Sequence, residues 1–259
     1  TFTAILTDTA GNTTTGTASS TTLTVDQAAP SVSLVTSSKS DGTYPVNTVI
    51  PVLVLTSESI TVDTTGGTPY ITLETGDNDD NVAYSSGTGT TVLTFNYTTG
   101  ADDTSADLDY KATNSLALNS GTMTDAAGNP LTLTLATPGE ANSLGANKAL
   151  VIDTTSPTIA EVTVVSTPSN DQTPSVVIST NEAGTITSSK TFTTSSSASS
   201  GNNTITFDTL AAGTYGNVTV VVTDAAGNAS NTLTLTEFVI DTSDPSAFTV
   251  GAVTATGNT

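Results

Sequence analysis

The hexapeptide TDAAGN occurs at 124–129 and again at 223–228, and it appears with one change, as TDTAGN, at 7–12. Each copy is followed by a short alternating run and then by a second phrase. That phrase reads apolar, aspartate, small polar residues, proline and a new apolar alternation: LTVDQAAPSV at 23–32, LVIDTTSPTI at 150–159 and FVIDTSDPSA at 238–247. An order repeated at such long and unequal spacing belongs to a tandem array of domains, not to a short-period solenoid. Taken alone, the hexapeptide reads as a hairpin turn. Its aspartate caps the turn, and its glycine and asparagine tolerate positive φ.

The segments between these phrases alternate with period two and are rich in Val, Ile and Thr: SVSLVT, VIPVLVLT, YITLET, TVLTFNY, LTLTL, SVVIST, NTITFDT, NVTVVVT and NTLTLTEFVI. Such runs are half-buried strands. No amphipathic helical pattern extends beyond a turn or two. Roughly seven short strands per 90–130 residues is the pattern of an immunoglobulin-like sandwich. The expected fold class is therefore all-β, with tandem immunoglobulin-like β-sandwich domains in a linear array. The expected boundaries are 1–27 for the last strands of one unit, 28–154 for a long unit, 155–242 for a second, and 243–259 for the first strand of another. The long unit carries a turn-rich insertion at 137–147 between LTLTL and KALVID. In the second unit, AEVTVVS is strand A, SVVIST B, TITSSKTFT C, NTITFDTL E, TYGNVTVVVTD F and NTLTLTEFVI G. The stretch LAAGTY, Leu210 to Tyr215, reads as a tyrosine corner at the start of F.

Composition narrows the chemistry. The formal net charge is −20, from 24 acids against four basic residues. Those four are all lysines: Lys39, Lys111, Lys148 and Lys190. Nucleic acid and anionic membrane surfaces both need the opposite balance, whereas an acidic surface attracts cations. Histidine, cysteine and tryptophan are absent, which excludes zinc, haem and iron–sulfur sites, a cysteine nucleophile and disulfides. Oxygen ligands are abundant and suit calcium. Neither a Gly-x-Ser-x-Gly elbow nor a P-loop is present. Paired carboxylates could serve glycoside hydrolysis, but six Tyr and six Phe read as core and corner residues, not as a sugar platform. No enzyme activity is expected. The longest apolar run, near IPVLVL at 50–55, is too short to span a membrane, and no signal peptide is visible. The opening TFTAILTDTAGN reads like the middle of a domain, so the expected N-terminus of the protein lies elsewhere.

The pattern G-x-Y-x-x-x-V-x-V-x-D-A-A-G-N, a strand, then V-I-D-T-x-x-P resembles the bacterial immunoglobulin-like repeats of giant secreted adhesins. The long unit resembles a repeat of very large cell-surface proteins, including those of swimming cyanobacteria, through SADLDY, TDAAGN, PGEANSLGANKALVIDT and TLTFNYT. The likeness covers nearly the whole chain. It implies adhesins, surface filaments or layers that are exported and often calcium-dependent. No glycine- and aspartate-rich nonapeptide array accompanies it.

In a string of such sandwiches, the linker entering a unit meets that unit's B–C and F–G loops. This places Asp26 near Glu58 and Asp125, and Asp153 near Glu182 and Asp224, while Asp241 and Asp244 would begin a following site. Three carboxylates gathered from three segments repel one another unless a cation sits among them. Asn129 or Asn228, backbone carbonyls and water would complete the oxygen shell of a junction calcium ion. The plainer alternative is a set of solvated acidic loops. Two weaker candidates are Asp77 and Asp79 in ETGDNDDN, which lack the downstream glutamate of an EF-hand, and Asp107 with Asp109 in ADDTSADLDY, which share a face if that segment is a strand. Lys148 and Lys190 are the lysines placed for an isopeptide bond, though solvated lysines are the ordinary reading. The sequons NYT and NVT are expected by chance in a chain so rich in Asn and Thr.

The expected function is mechanical: a shaft or extender segment of a giant extracellular bacterial surface protein, stiffened by calcium. Alternatives are a subunit of a self-assembling extracellular filament or surface layer, and a glycan- or protein-binding adhesion module. Expected partners are neighbouring repeats of the same chain and other copies of it in a fibre, with no nucleic acid and no membrane insertion.

Overall fold

A computed structural model describes residues 3–17, 25–249 and 251. The chain is almost wholly strand, turn and loop, with one helical turn at Leu144–Asn147 among the described residues. It divides into two compact units, Thr1–Asp153 and Thr154–Thr259, each with its own apolar core. Residues 18–24 of the expected last strands at 1–27 and most of the expected strand at 243–259 lie outside the described residues.

The first unit is organised by the strand Val49–Asp63. It pairs antiparallel with Val32–Ser37, with Thr90–Thr98 and, through its last residues, with Thr122–Thr124. Alternation drives the burial: Ile50, Val52, Val54 and Ile60 face inward and are fully covered, opposite Leu93, Phe95 and Tyr97. The sheet continues through Asp80–Ser86, Tyr70–Leu73 and Leu116–Ala117. A second layer pairs Leu150–Asp153 with Gly42–Tyr44 in parallel and with Thr104–Ser105 in antiparallel. Burying side chains of this size contributes about 1.5–3 kcal/mol each, and here that term works without a disulfide.

The first unit departs from expectation in two places. The lettering of a sandwich predicts a strand, a loop and a second strand around LTSESI, but Val49–Asp63 is continuous and breaks register between Leu55 and Ile60. Glu58 therefore sits on a bulge, which adds residues to one strand and bends it. The expected strand LTLTL at 131–135 keeps its alternation, with Leu131 and Leu135 buried, yet it forms no regular ladder. Its N–H groups go to three different segments: Leu131 to Met123 O, Thr132 to Pro30 O and Leu135 to Thr113 O.

The second unit keeps the expected strand order, but the expected strand C stops at Ser188 and the expected strand F is split into Gly213–Tyr215 and Thr219–Thr223. Ile159–Thr163, Ser175–Thr180 and Gly201–Thr206 form one sheet in the order A-B-E. Ser197–Ala198, Gly184–Ser188, Thr219–Thr223 and Leu233–Thr234 form the facing sheet, in which C, F and G are neighbours. Strand G is interrupted and resumes as Phe238–Ile240, paired with Gly213–Tyr215. At the break, Glu161 Oε2 accepts from both the N–H and the hydroxyl of Thr236. The tyrosine corner is present: Tyr215 donates its hydroxyl to Ala211 O at 2.9 Å, and its ring stacks on Phe238 at 5.2 Å.

Candidate metal centre

All three hexapeptides fold alike. The aspartate N–H donates to the asparagine carbonyl, and the glycine N–H returns to the aspartate carbonyl, in 8–12, 125–129 and 224–228. The glycine has φ of +87°, +92° and +99° at Gly11, Gly128 and Gly227. This is a three-residue hairpin loop, a type I turn closed by a residue in the left-handed region. Positive φ at the asparagine, which the turn composition also suggests, does not occur; only the glycine has it. The asparagine serves through its side chain. Its Nδ2 donates to the aspartate Oδ2 at 2.9 Å in Asn12, 2.7 Å in Asn129 and 2.8 Å in Asn228. The other carboxylate oxygen accepts two backbone N–H groups, from Ala127 and Asn129 in the case of Asp125.

These donors favour the charged carboxylate. The Asn12 side chain, followed by backbone N–H groups, holds Asp8 below the usual range. At Asp125 burial pushes upward, and the Asn129 side chain together with the N–H groups of residues 127–129 outweighs it, so the net direction is down.

The glutamates are positioned by a parallel device in both units. Thr56 donates its hydroxyl to Glu58 O at 2.7 Å, and Thr180 donates to Glu182 O at 3.0 Å. The intervening residue grips the chain just after the linker proline. Ser57 N–H donates to Ser31 O while Ser31 N–H donates to Ser57 Oγ. Asn181 N–H donates to Thr158 O while Thr158 N–H donates to Asn181 Oδ1. Composition and alternation do not single out these gripping residues. The signal that does is the shared tripeptide frame, TSE at 56–58 and TNE at 180–182.

In the first unit these devices bring Asp26, Glu58 and Asp125 together, with one carboxylate oxygen from each lying within 4.8 Å of the others. Asp26 is exposed, Glu58 half-buried and Asp125 only 4 % exposed. Asp26 accepts the N–H of Ala28 on its own Oδ1. Repulsion between such charges is on the order of 1 kcal/mol per pair in water and several times that where they are partly buried. Oxygens bound to one calcium ion at about 2.3–2.6 Å lie at most about 5 Å apart, so this spacing fits a hard divalent cation. In the second unit, Glu182 and Asp224 likewise approach within 4.8 Å, and Asp153 is the last residue of the first unit.

The weaker candidates have other employment. Asp79 forms an ion pair with Lys111, so a lysine of the same unit supplies the counter-charge expected from a metal, while Asp77 is exposed. Neither belongs to a converging group of three carboxylates among the described residues. Asp107 and Asp109 do not lie on a strand; Asp107 is exposed and Asp109 is 8 % exposed. Asp109 accepts N–H groups from Tyr110, Leu144 and Gly139 at 2.8, 3.2 and 2.9 Å, anchoring the 137–147 insertion. A Cβ at Gly145 would stand 3.0 Å from Asp109 Oδ2 and 3.5 Å from Asp107 Oδ2, so glycine lets the helical turn close over them. Asp241 accepts the N–H of Ser243, which with the Ser243 side chain holds its carboxyl below the usual range. Asp241 and Asp244 are exposed. Of the two lysines considered for an isopeptide bond, Lys190 lies over the Tyr215 ring, 5.5 Å from its centroid.

The fold and site define an all-β sandwich protein whose repeated turns carry carboxylates able to gather a metal ion. Neither a protein-family model nor a curated protein matches the sequence. No helix among the described residues is long and apolar enough to cross a membrane.

Proposed function

We propose that the chain is a structural repeat segment, a shaft or extender of a large extracellular surface protein, and that calcium binds where a linker aspartate meets the two end loops of a unit. The convergence of Asp26, Glu58 and Asp125 within 4.8 Å carries this reading. Three carboxylates from distant parts of the sequence are held there by local hydrogen bonds that leave lone pairs unused. The absence of His and Cys restricts ligands to oxygen, and calcium accepts six to eight of those. Glu182 and Asp224 occupy the equivalent positions of the second unit, and the repeat places Asp153 four residues before its Pro157 just as Asp26 stands before Pro30. Extracellular location and head-to-tail stiffening belong to the same proposal.

Thermal unfolding in EDTA and in millimolar calcium, with scattering to report length, tests it. A ligand at a hundred times its Kd stabilises by about 2.7 kcal/mol, so a clear upward shift is expected, with a longer particle. The double variant Asp26→Asn, Glu58→Gln should lose the first unit's share of that shift. Identical melting and identical length in both buffers would refute the calcium reading.

A further inference from the structure

A hairpin of this kind needs only the glycine and the aspartate. The two backbone N–H groups on Asp125 Oδ1 close the turn, and Gly128 supplies the left-handed residue. The asparagine side chain is surplus to that task, yet it occurs in all three copies with the same contact. In the first unit it does more. Asn129 Nδ2 donates to Asp125 Oδ2 at 2.7 Å and also reaches the backbone carbonyl of Asp26 at 3.3 Å. One amide thus ties two of the three carboxylate-bearing residues of the cluster together. In the second unit the equivalent Asn228 is 7 % exposed, and burying a side-chain amide is costly unless its hydrogen bonds are made. Asn12, whose Asp8 belongs to no converging group of three among the described residues, is exposed.

We propose that Asn129 is a positioning residue for the cation site, holding the Asp125 carboxylate and the Asp26 main chain in register so that calcium meets ligands already in place. The proposal rests on the calcium reading above and deepens it. It assigns the amide N–H group, not the amide oxygen, as the feature that makes the hexapeptide a half-site. Residues that orient metal ligands typically affect affinity by about 10–100-fold when removed.

The test is a calorimetric calcium titration of the whole chain as wild type, Asn129→Ala and Asn12→Ala, with unfolding in EDTA recorded for each. Wild type should bind, Asn129→Ala should weaken the first unit's site about 10–100-fold, and Asn12→Ala should leave it unchanged. Asn12 is the internal control because it makes the same turn contact while its Asp8 belongs to no converging group of three among the described residues. If Asn129→Ala does not fold in EDTA, Asn129→Thr, too short to reach both acceptors, carries the same expectation. Affinity within about twofold of wild type for a folded Asn129 variant, against the expected factor, would overturn the positioning role and leave calcium binding standing. So would an equal loss in Asn12→Ala, since that is the signature of turn stability alone. A wild type that binds no calcium would overturn the calcium reading itself.

Discussion

Ser31 and Ser57 hold each other by two hydrogen bonds, N–H of Ser57 to O of Ser31 at 2.9 Å and N–H of Ser31 to Oγ of Ser57 at 3.0 Å. Neither bond involves a carboxylate, so the grip is independent of any cation. Immediately upstream, residues 25–29 are exposed and Pro30 is buried. Segments with few buried contacts open at low free energy. On the calcium proposal, chelation should therefore raise amide exchange at residues 26–29 and leave the Ser31 and Ser57 amides protected. Exchange measured with and without EDTA checks this; loss of protection at Ser31 would place the flexible point inside the sandwich instead.

Asp109 anchors the insertion that distinguishes the first unit from the second. Replacing it by alanine removes the acceptor of the buried Leu144 N–H, at about 1–3 kcal/mol for a buried donor left unpaired, while the exposed Gly139 N–H keeps Ser143 Oγ as acceptor. Asp109→Ala should lower the stability of the first unit by about 1–3 kcal/mol. Denaturant unfolding that resolves the two units checks it, with the second unit's transition unchanged.

Tyr215→Phe removes the hydroxyl that donates to Ala211 O and keeps the stack on Phe238. A hydrogen bond of this sort contributes about 1 kcal/mol net. The second unit's stability should fall by that amount while the first unit's holds, read by the same denaturation.

Acid should act on the first unit in two directions. Burial, then the neighbouring charge of Asp103, pushes the Asp80 carboxyl up, and at the exposed Asp107 the partial covering of its carboxyl, then the charge of Asp109, acts in the same direction. A raised folded-state pKa gives stability that is complete below the unfolded value and lost as pH rises through the folded one. Lowering pH from neutral to the ordinary carboxylate value of 3.8 should thus stabilise the unit through these two groups. Asp63, lowered by the Thr65 side chain and N–H, and Asp125, lowered by its turn, work the other way. Their contribution is lost as pH falls below that value through their folded pKa. Unfolding across pH should pass through a maximum on the acid side, and Asp80→Asn should flatten its rise.

Much of the fold is legible in the sequence. Period-two alternation marks Val49–Asp63 and Ser175–Thr180 because a strand's side chains obey a two-residue rule wherever one face is buried. The hexapeptide marks its own hairpin because every bond that closes it spans four residues or fewer. The tyrosine corner is equally local. Partnership is what a linear reading hides. LTLTL alternates like a strand, yet its hydrogen bonds scatter to three segments, because pairing depends on which backbone lies alongside and not on alternation. By residue type and spacing Asp109 and Asp79 resemble metal ligands; the insertion closes over the first and Lys111 sits beside the second.

The sequence by itself determined the strands, the turns and the supply of oxygen ligands without histidine or cysteine, since these follow from side-chain type and contacts a few residues apart. The nearness of Asp26 to Glu58 and Asp125 follows as an expectation from the order of strands and loops, but only the tertiary structure decided that Glu58 stands on a bulge within a continuous strand and that Asp109 and Asp79 are spent on other partners. Which carboxylates converge is set by how sheets cross and where strands bend, and those are properties of the packed core as a whole.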